Sequence, residues 1–128
     1  MTDVNPQSPY RRATNLDAPV FDGEAVSLVD LFRHELAKGQ SVIRERTFRN
    51  CGIEGPGIAL ILGNVKFDRT DFGYTGGDIR NLAVRPVGEK VFGAIPIGAC
   101  RFENCKFFAV GFTGTEEFLS QLLAVETR

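Results

Sequence analysis

Several residue types are scarce in this chain of 128 residues, and each scarcity removes a class of function. Tryptophan is absent and there are only two tyrosines, so the sequence lacks the aromatic platform expected of a sugar-binding groove. The single histidine, His34, is followed by Lys38 at the position where a zinc-binding H-E-x-x-H motif has its second histidine. We therefore expect His34 to be structural or solvated, with no metal and no cofactor.

The chain also has no large excess of positive or negative charge and no long apolar run. The 15 basic and 16 acidic residues leave a net charge of −1, which favours neither a nucleic-acid partner nor a polyacidic surface. No apolar run approaches the ~20 residues of a membrane span. Residues 1–19 lack the apolar segment of a secretory signal. We expect a cytoplasmic protein that binds neither nucleic acid nor a membrane.

Cysteine occurs only three times, as Cys51, Cys100 and Cys105, and no C-x-x-C motif is formed. An odd number of cysteines without an export signal favours reduced thiols. A nucleophilic cysteine needs a nearby base, and His34 is the only imidazole available. We therefore interpret the three cysteines as small buried residues.

Phenylalanine, with 11 copies, and glycine, with 14, are the abundant residues. Phenylalanine carries no polar group, so its abundance indicates apolar filling. Three similar hexads recur, F-R-N-C-G-I at 48–53, F-D-R-T-D-F at 67–72 and F-E-N-C-K-F at 102–107. From position 67 to 112, nine of the ten residues in every fifth position are apolar: Phe67, Phe72, Leu82, Val87, Phe92, Ile97, Phe102, Phe107 and Phe112. This period matches neither an amphipathic helix nor a flat strand, and it indicates an internal repeat.

The units C-R-F-E-N, C-K-F-F-A and V-G-F-T-G, at residues 100–114, resemble the pentapeptide-repeat family. The resemblance covers residues 47–76 and 92–114. It implies a mainly β fold, a short right-handed parallel β-helix (solenoid) with four sides per coil. The hexad spacing fits three strands per coil nearly as well, and the sequence leaves this choice open. In either form, phenylalanines would stack on one another inside, and cysteines on cysteine or threonine.

The rest of the chain suggests one domain with a helix at each end. Residues 1–18 are polar and predict a flexible arm, and 19–128 predict a single domain. A helix is predicted at about 27–38, with Ser27 as N-cap, and another at about 115–126, with Thr115 as N-cap. Both would cap the ends of the solenoid. Residues 77–91 predict a less regular coil or an inserted loop.

Three carboxylates, Asp68, Asp71 and Asp78, share one glycine-rich region and are the candidate ligand site. They could bind Ca²⁺ or act as paired acids in glycoside cleavage. The spacing matches no EF-hand, and outward-facing polar residues of a repeat explain it more simply.

No catalytic residue is identified, and the sequence favours a small non-catalytic protein-binding or scaffold module. Its partner would be another protein or a second copy, as in a homodimer. The alternatives are an enzyme or ligand-binding protein that uses the acidic groove, and a purely self-associating structural protein.

Overall fold

The computed structural model describes residues 10–88 and 91–125, and every strand pair in that part of the chain is parallel. Two α-helices accompany the strands, α1 (Leu28–Ala37) and α2 (Glu116–Leu123), together with a short 3-10 turn at Ile79–Leu82. The strands are β1 (Arg11–Arg12), β2 (Val20–Asp22), β3 (Glu24–Ser27), β4 (Ile43–Arg44), β5 (Thr47–Arg49), β6 (Gly52–Ile61), β7 (Lys66–Asp68), β8 (Ala94–Gly98), β9 (Arg101–Glu103) and β10 (Lys106–Gly114).

The strands form two sheets, and their order overturns the predicted fold class. One sheet runs β1-β3-β6-β8-β4, with β10 also pairing with β6, and the other runs β2-β5-β9-β7. The mainly β solenoid is therefore wrong: the fold is α/β, with two sheets of parallel strands and two helices. In a solenoid each coil packs against the preceding one. Here β9, late in the chain, lies between β5 and β7, and β8 likewise pairs with both β4 and β6.

The centre of the second sheet is a stack of four phenylalanine rings, one from each three-residue strand. The rings of Phe21 and Phe48 lie 5.2 Å apart, those of Phe48 and Phe102 lie 4.8 Å apart, and those of Phe102 and Phe67 lie 5.2 Å apart. All three pairs are parallel within 9°. The residues on either side of each phenylalanine are more exposed than the ring and all are polar or charged except Val20, as alternation along a strand allows. The predicted stacking of phenylalanines is confirmed.

The chain turns two residues after each stacked phenylalanine, and the turn residue has a positive φ. These residues are Gly23, Asn50, Arg69 and Asn104, with φ between 49° and 70°. Glycine and asparagine tolerate this left-handed conformation at low cost. The Asn104 amide also donates to Asn50 Oδ1 at 2.7 Å, which links neighbouring turns.

The five-residue spacing of buried side chains holds from Ile97 onward and is interrupted just before it. Ile97, Phe102, Phe107 and Phe112 are all buried, as predicted. Phe92, in the same phase, is 92% exposed and lies outside the core. The predicted irregular segment 77–91 contains the 3-10 turn and two residues outside the described part of the chain.

Both helices begin at the N-cap residues that the sequence indicates. Ser27 Oγ accepts a hydrogen bond from the Asp30 N–H at 3.2 Å, and Thr115 Oγ1 accepts one from the Phe118 N–H at 3.1 Å. The sequence predicts that the two helices end at 38 and 126, and in the structure they end at Ala37 and Leu123. Residues 126–128 lie outside the described part of the chain.

The described half of the expected flexible arm, residues 10–18, lies against the body of the protein. Arg11 and Arg12 of β1 pair with β3, and the Ala13 N–H donates to the Ala25 carbonyl at 2.9 Å. The expected arm also included residues 1–9, which lie outside the described residues.

Candidate functional site

The three carboxylates that the sequence predicts as a ligand site each interact with a different residue. Asp78 accepts hydrogen bonds from the backbone and guanidinium of Arg80, the shorter at 2.7 Å, and these bonds lower its pKa. The Asp71 carboxylate accepts the Gly73 N–H at 2.9 Å, and Asp68 lies exposed on β7, 3.4 Å from Arg69 Nε. In the part of the chain that the structure describes, these three residues form no common cluster of metal-ligating atoms.

A different group of potential ligands is brought together where Asp17, from the segment before β2, meets His34 and Glu35 of α1. Lys38 Nζ lies 2.8 Å from Asp17 Oδ1 and 3.2 Å from Glu35 Oε2. The Lys38 ammonium thus neutralises both carboxylates, as a bound cation would. His34 Nε2 lies 2.9 Å from the same Asp17 oxygen. Hydrogen bonds from Lys38 and then His34 lower the pKa of Asp17 to about 2. The arrangement is that of an ion-pair cluster.

Glu35 also belongs to a buried ion pair that holds the segment before β2. Arg46 Nη2 donates to Glu35 Oε1 at 2.7 Å, and both side chains are buried. Arg46 Nη1 donates to the carbonyls of Leu16 and Ala18 at 2.7 and 2.9 Å. Burial acts to raise the pKa of Glu35, but its interactions with the Lys38 ammonium and the Arg46 guanidinium outweigh burial and lower the pKa. These contacts stabilise the fold.

The cysteines are free and buried, as predicted. A hydrogen bond with Cys51, and then burial, raise the pKa of the Cys105 thiol, and burial raises that of Cys100. Cys105 Sγ lies 3.1 Å from the Phe48 carbonyl, inside the core. A protonated thiol is a poor nucleophile, which disfavours Cys100 and Cys105 as nucleophiles. The hydrogen bond with Cys105 lowers the pKa of Cys51, which is itself buried.

An open groove of about 580 Å³ lies on the outer face of β10. Alternation along the strand buries Phe107 and turns Lys106 and Phe108 outward. Phe108 is 47% exposed, and Tyr74, which also lines the groove, is 90% exposed. The groove is lined by Asp71, Gly73, Tyr74, Lys106, Phe107, Phe108 and Ala109.

Two glycines shape the surroundings of this groove. Gly73, with φ +101°, lies so close to the Phe107 carbonyl that a Cβ atom would collide with its oxygen. A Cβ on Gly52 would lie 2.7 Å from the Tyr10 ring, so glycine allows that ring to lie flat on the sheet. The Tyr10 ring then meets Phe108 edge-on, with centroids 6.5 Å apart.

Sequence reasoning found Asp71 of this groove and missed Tyr74, Lys106 and Phe108. One feature of the sequence distinguishes Phe108 from the buried phenylalanines. Of the eight phenylalanines from position 67 onward, only Phe108 and Phe118 fall outside the five-residue phase. Phe118 belongs to α2, whereas Phe108 lies on a strand and faces outward.

No protein-family model, curated protein or solved structure matches this chain. In the described residues α1 has 10 residues and α2 has 8, and neither has the length and apolar character needed to cross a bilayer. The groove on β10 is therefore interpreted from its own side chains.

Proposed function

We propose that this chain is a small non-catalytic protein-binding module that acts in the cytoplasm. The observation that carries the proposal is the groove on β10, which is lined by the half-exposed Phe108 and the exposed Tyr74. Exposed aromatic side chains grouped on a rigid sheet are typical of interaction surfaces, because burying them against a partner releases water from apolar surface.

The charges beside the groove indicate the chemistry of the partner. Lys106 lies in the groove wall and forms no ion pair with any residue that the structure describes. Asp71, the other charged residue of the wall, is already engaged by the Gly73 N–H. The Lys106 ammonium is thus the one positive charge among the lining residues, and it lies in the same wall as the Asp71 carboxylate. We infer that the partner presents a protein segment with an apolar or aromatic side chain next to a carboxylate.

The state of the cysteines supports a reducing compartment. Cys51 and Cys105 interact directly, yet both remain free thiols. Neighbouring thiols persist in the cytosol, where glutathione and thioredoxin keep cysteines reduced. The acidic-groove alternative has less support, because Asp78 is paired with Arg80 and Asp71 with a backbone N–H.

A pull-down from source-cell lysate, read by mass spectrometry, tests the groove. The bait variant is Phe108→Ser, and the matched control is Val20→Ser, which changes an apolar strand residue of similar exposure, 43%, on β2. We expect one stoichiometric partner on the wild type and on the Val20→Ser bait, and its loss from Phe108→Ser. Circular dichroism verifies that both variants are folded.

Calorimetry with the purified partner then tests the charge. Lys106→Glu is expected to weaken binding at least tenfold, Lys106→Arg to preserve it, and added salt to weaken the wild-type complex. A partner that Phe108→Ser binds as tightly as the wild type, or the absence of any stoichiometric partner, would contradict the proposal.

A further inference from the structure

The edge strand β7 presents unpaired backbone groups at the end of the second sheet. In the described residues β7 pairs with β9 alone. The Lys66 N–H donates to the Cys100 carbonyl at 3.0 Å, and the Asp68 carbonyl accepts from the Asn104 N–H at 2.8 Å. Because backbone groups alternate between the two edges of a strand, the N–H and C=O of Phe67 point away from β9. Such an edge is a template for a further strand.

Apolar surface lies beside this free edge. A groove of about 270 Å³ is lined by Val65, Phe67, Phe72, Phe118, Gln121, Leu122 and Val125. Phe67 is only partly buried there, whereas Phe21, at the opposite end of the phenylalanine stack, is fully buried. The stack is thus covered at its β2 end and open at its β7 end.

The sequence of β7, Lys66-Phe67-Asp68, is complementary to itself. When two copies of this strand lie antiparallel and centred on Phe67, Lys66 of each copy faces Asp68 of the other. Opposite charges in such cross-strand positions are favourable, and like charges are unfavourable. Both side chains are exposed on the protein surface, and Lys66 has no ion pair with a described residue. Asp68 has one contact, with Arg69, at the long distance of 3.4 Å.

We propose that β7 binds a second copy of this chain, forming a two-fold symmetric dimer in which the two β7 strands pair antiparallel. The Phe67 N–H of each copy donates to the Phe67 carbonyl of the other, and the grooves beside Phe67 and Phe72 meet across the two-fold axis. Such an interface is isologous, so it closes at two copies. A three-residue strand makes few backbone bonds, and we expect a weak dimer with a Kd on the order of micromolar.

This surface lies on a different sheet from the groove on β10, so the dimer and the proposed partner can be tested independently. Sedimentation velocity over a concentration series measures the monomer–dimer equilibrium of the full chain. Lys66→Glu and Asp68→Lys should each weaken the dimer at least tenfold, because each places like charges opposite one another twice. Arg33→Glu, a charge reversal at an exposed position on α1, is the control and should leave the equilibrium unchanged.

Mixing the two charge-reversal variants provides a stricter test. It also verifies that the variants are folded, because only folded chains can form the heterodimer. The Lys66→Glu and Asp68→Lys chains, each monomeric alone, should form a heterodimer, since every facing pair is then of opposite charge. The double variant Lys66→Glu/Asp68→Lys should dimerise with itself and not with the wild type. A wild type that stays monomeric up to several hundred micromolar would overturn the proposal. A dimer whose affinity does not respond to these reversals would overturn it too, because a different surface would then hold the copies together.

Discussion

Removing one ring from the middle of the phenylalanine stack tests how the core is built. Phe102 is 1% exposed and stacks on Phe48 and Phe67 at 4.8 and 5.2 Å. A buried Phe→Ala substitution costs about 3–5 kcal/mol of the free energy of unfolding, and each aromatic pair contributes about 0.5–1.5 kcal/mol beyond its buried area. With two stacked partners, Phe102→Ala is expected in the upper part of that range, about 4–5 kcal/mol.

The same change at the end of the stack provides the comparison. Phe67 stacks on Phe102 and is only partly buried, so Phe67→Ala should cost less than Phe102→Ala, about 2–3 kcal/mol. The remaining cost reflects tilted or edge-on contacts of its ring with four other phenylalanines, Phe72, Phe107, Phe112 and Phe118. Equilibrium urea unfolding, followed by circular dichroism, measures both losses. If Phe102→Ala abolishes folding, Phe102→Leu, expected to cost about 1–2 kcal/mol, replaces it. A larger loss for Phe67→Ala than for Phe102→Ala, or a loss below about 1 kcal/mol for Phe102→Ala, would refute the stack.

Two further predictions concern the ion pairs around α1. Arg46→Met leaves the buried Glu35 carboxylate without its guanidinium and should lower the free energy of unfolding by about 3–5 kcal/mol in urea titrations. The double variant Arg46→Met/Glu35→Leu should recover most of that loss, and a double variant no more stable than the single would contradict the assignment. The pKa of Asp17 is lowered to about 2 by Lys38 and His34, so its contribution is complete above its unfolded pKa of about 4 and disappears as the pH falls through 2. Unfolding measured between pH 2 and 6 should therefore show a smaller acid-induced loss for Asp17→Asn than for the wild type; identical pH profiles would contradict this.

The local sequence was sufficient to predict where the helices begin and which way two of the phenylalanines point. Ser27 and Thr115 begin their helices because a side-chain oxygen reaches an N–H three residues later. Phe102 and Phe107 point inward because side chains alternate along a strand, so the more exposed residues on either side of each face outward. The exposure of Phe92 could not be predicted, since an apolar residue in the correct phase is buried only when another strand reaches it.

Most residues of the candidate site could not be predicted from the sequence. Asp68, Asp71 and Asp78 are close in the chain, but each finds a different partner in its immediate surroundings. Lys106 and Phe108 meet Tyr74 only because residues 71–73 lie beside β10, with an isolated bridge between Asp71 and Lys106. Contacts between segments more than 30 residues apart are a property of the sheet order.

The sequence by itself determined where the helices begin and that Phe102, Phe107 and Phe112 face inward, because these features follow from capping and local periodicity. Only the tertiary structure decided the order of the strands. Phe48, Phe67 and Phe102 each lie between polar neighbours, and any of the three rings could occupy the middle of the stack with the same local pattern. The placement of Phe102 between Phe48 and Phe67 depends on how distant segments pack together, and this packing gives the α/β fold its strand order and leaves Phe67 at the open edge.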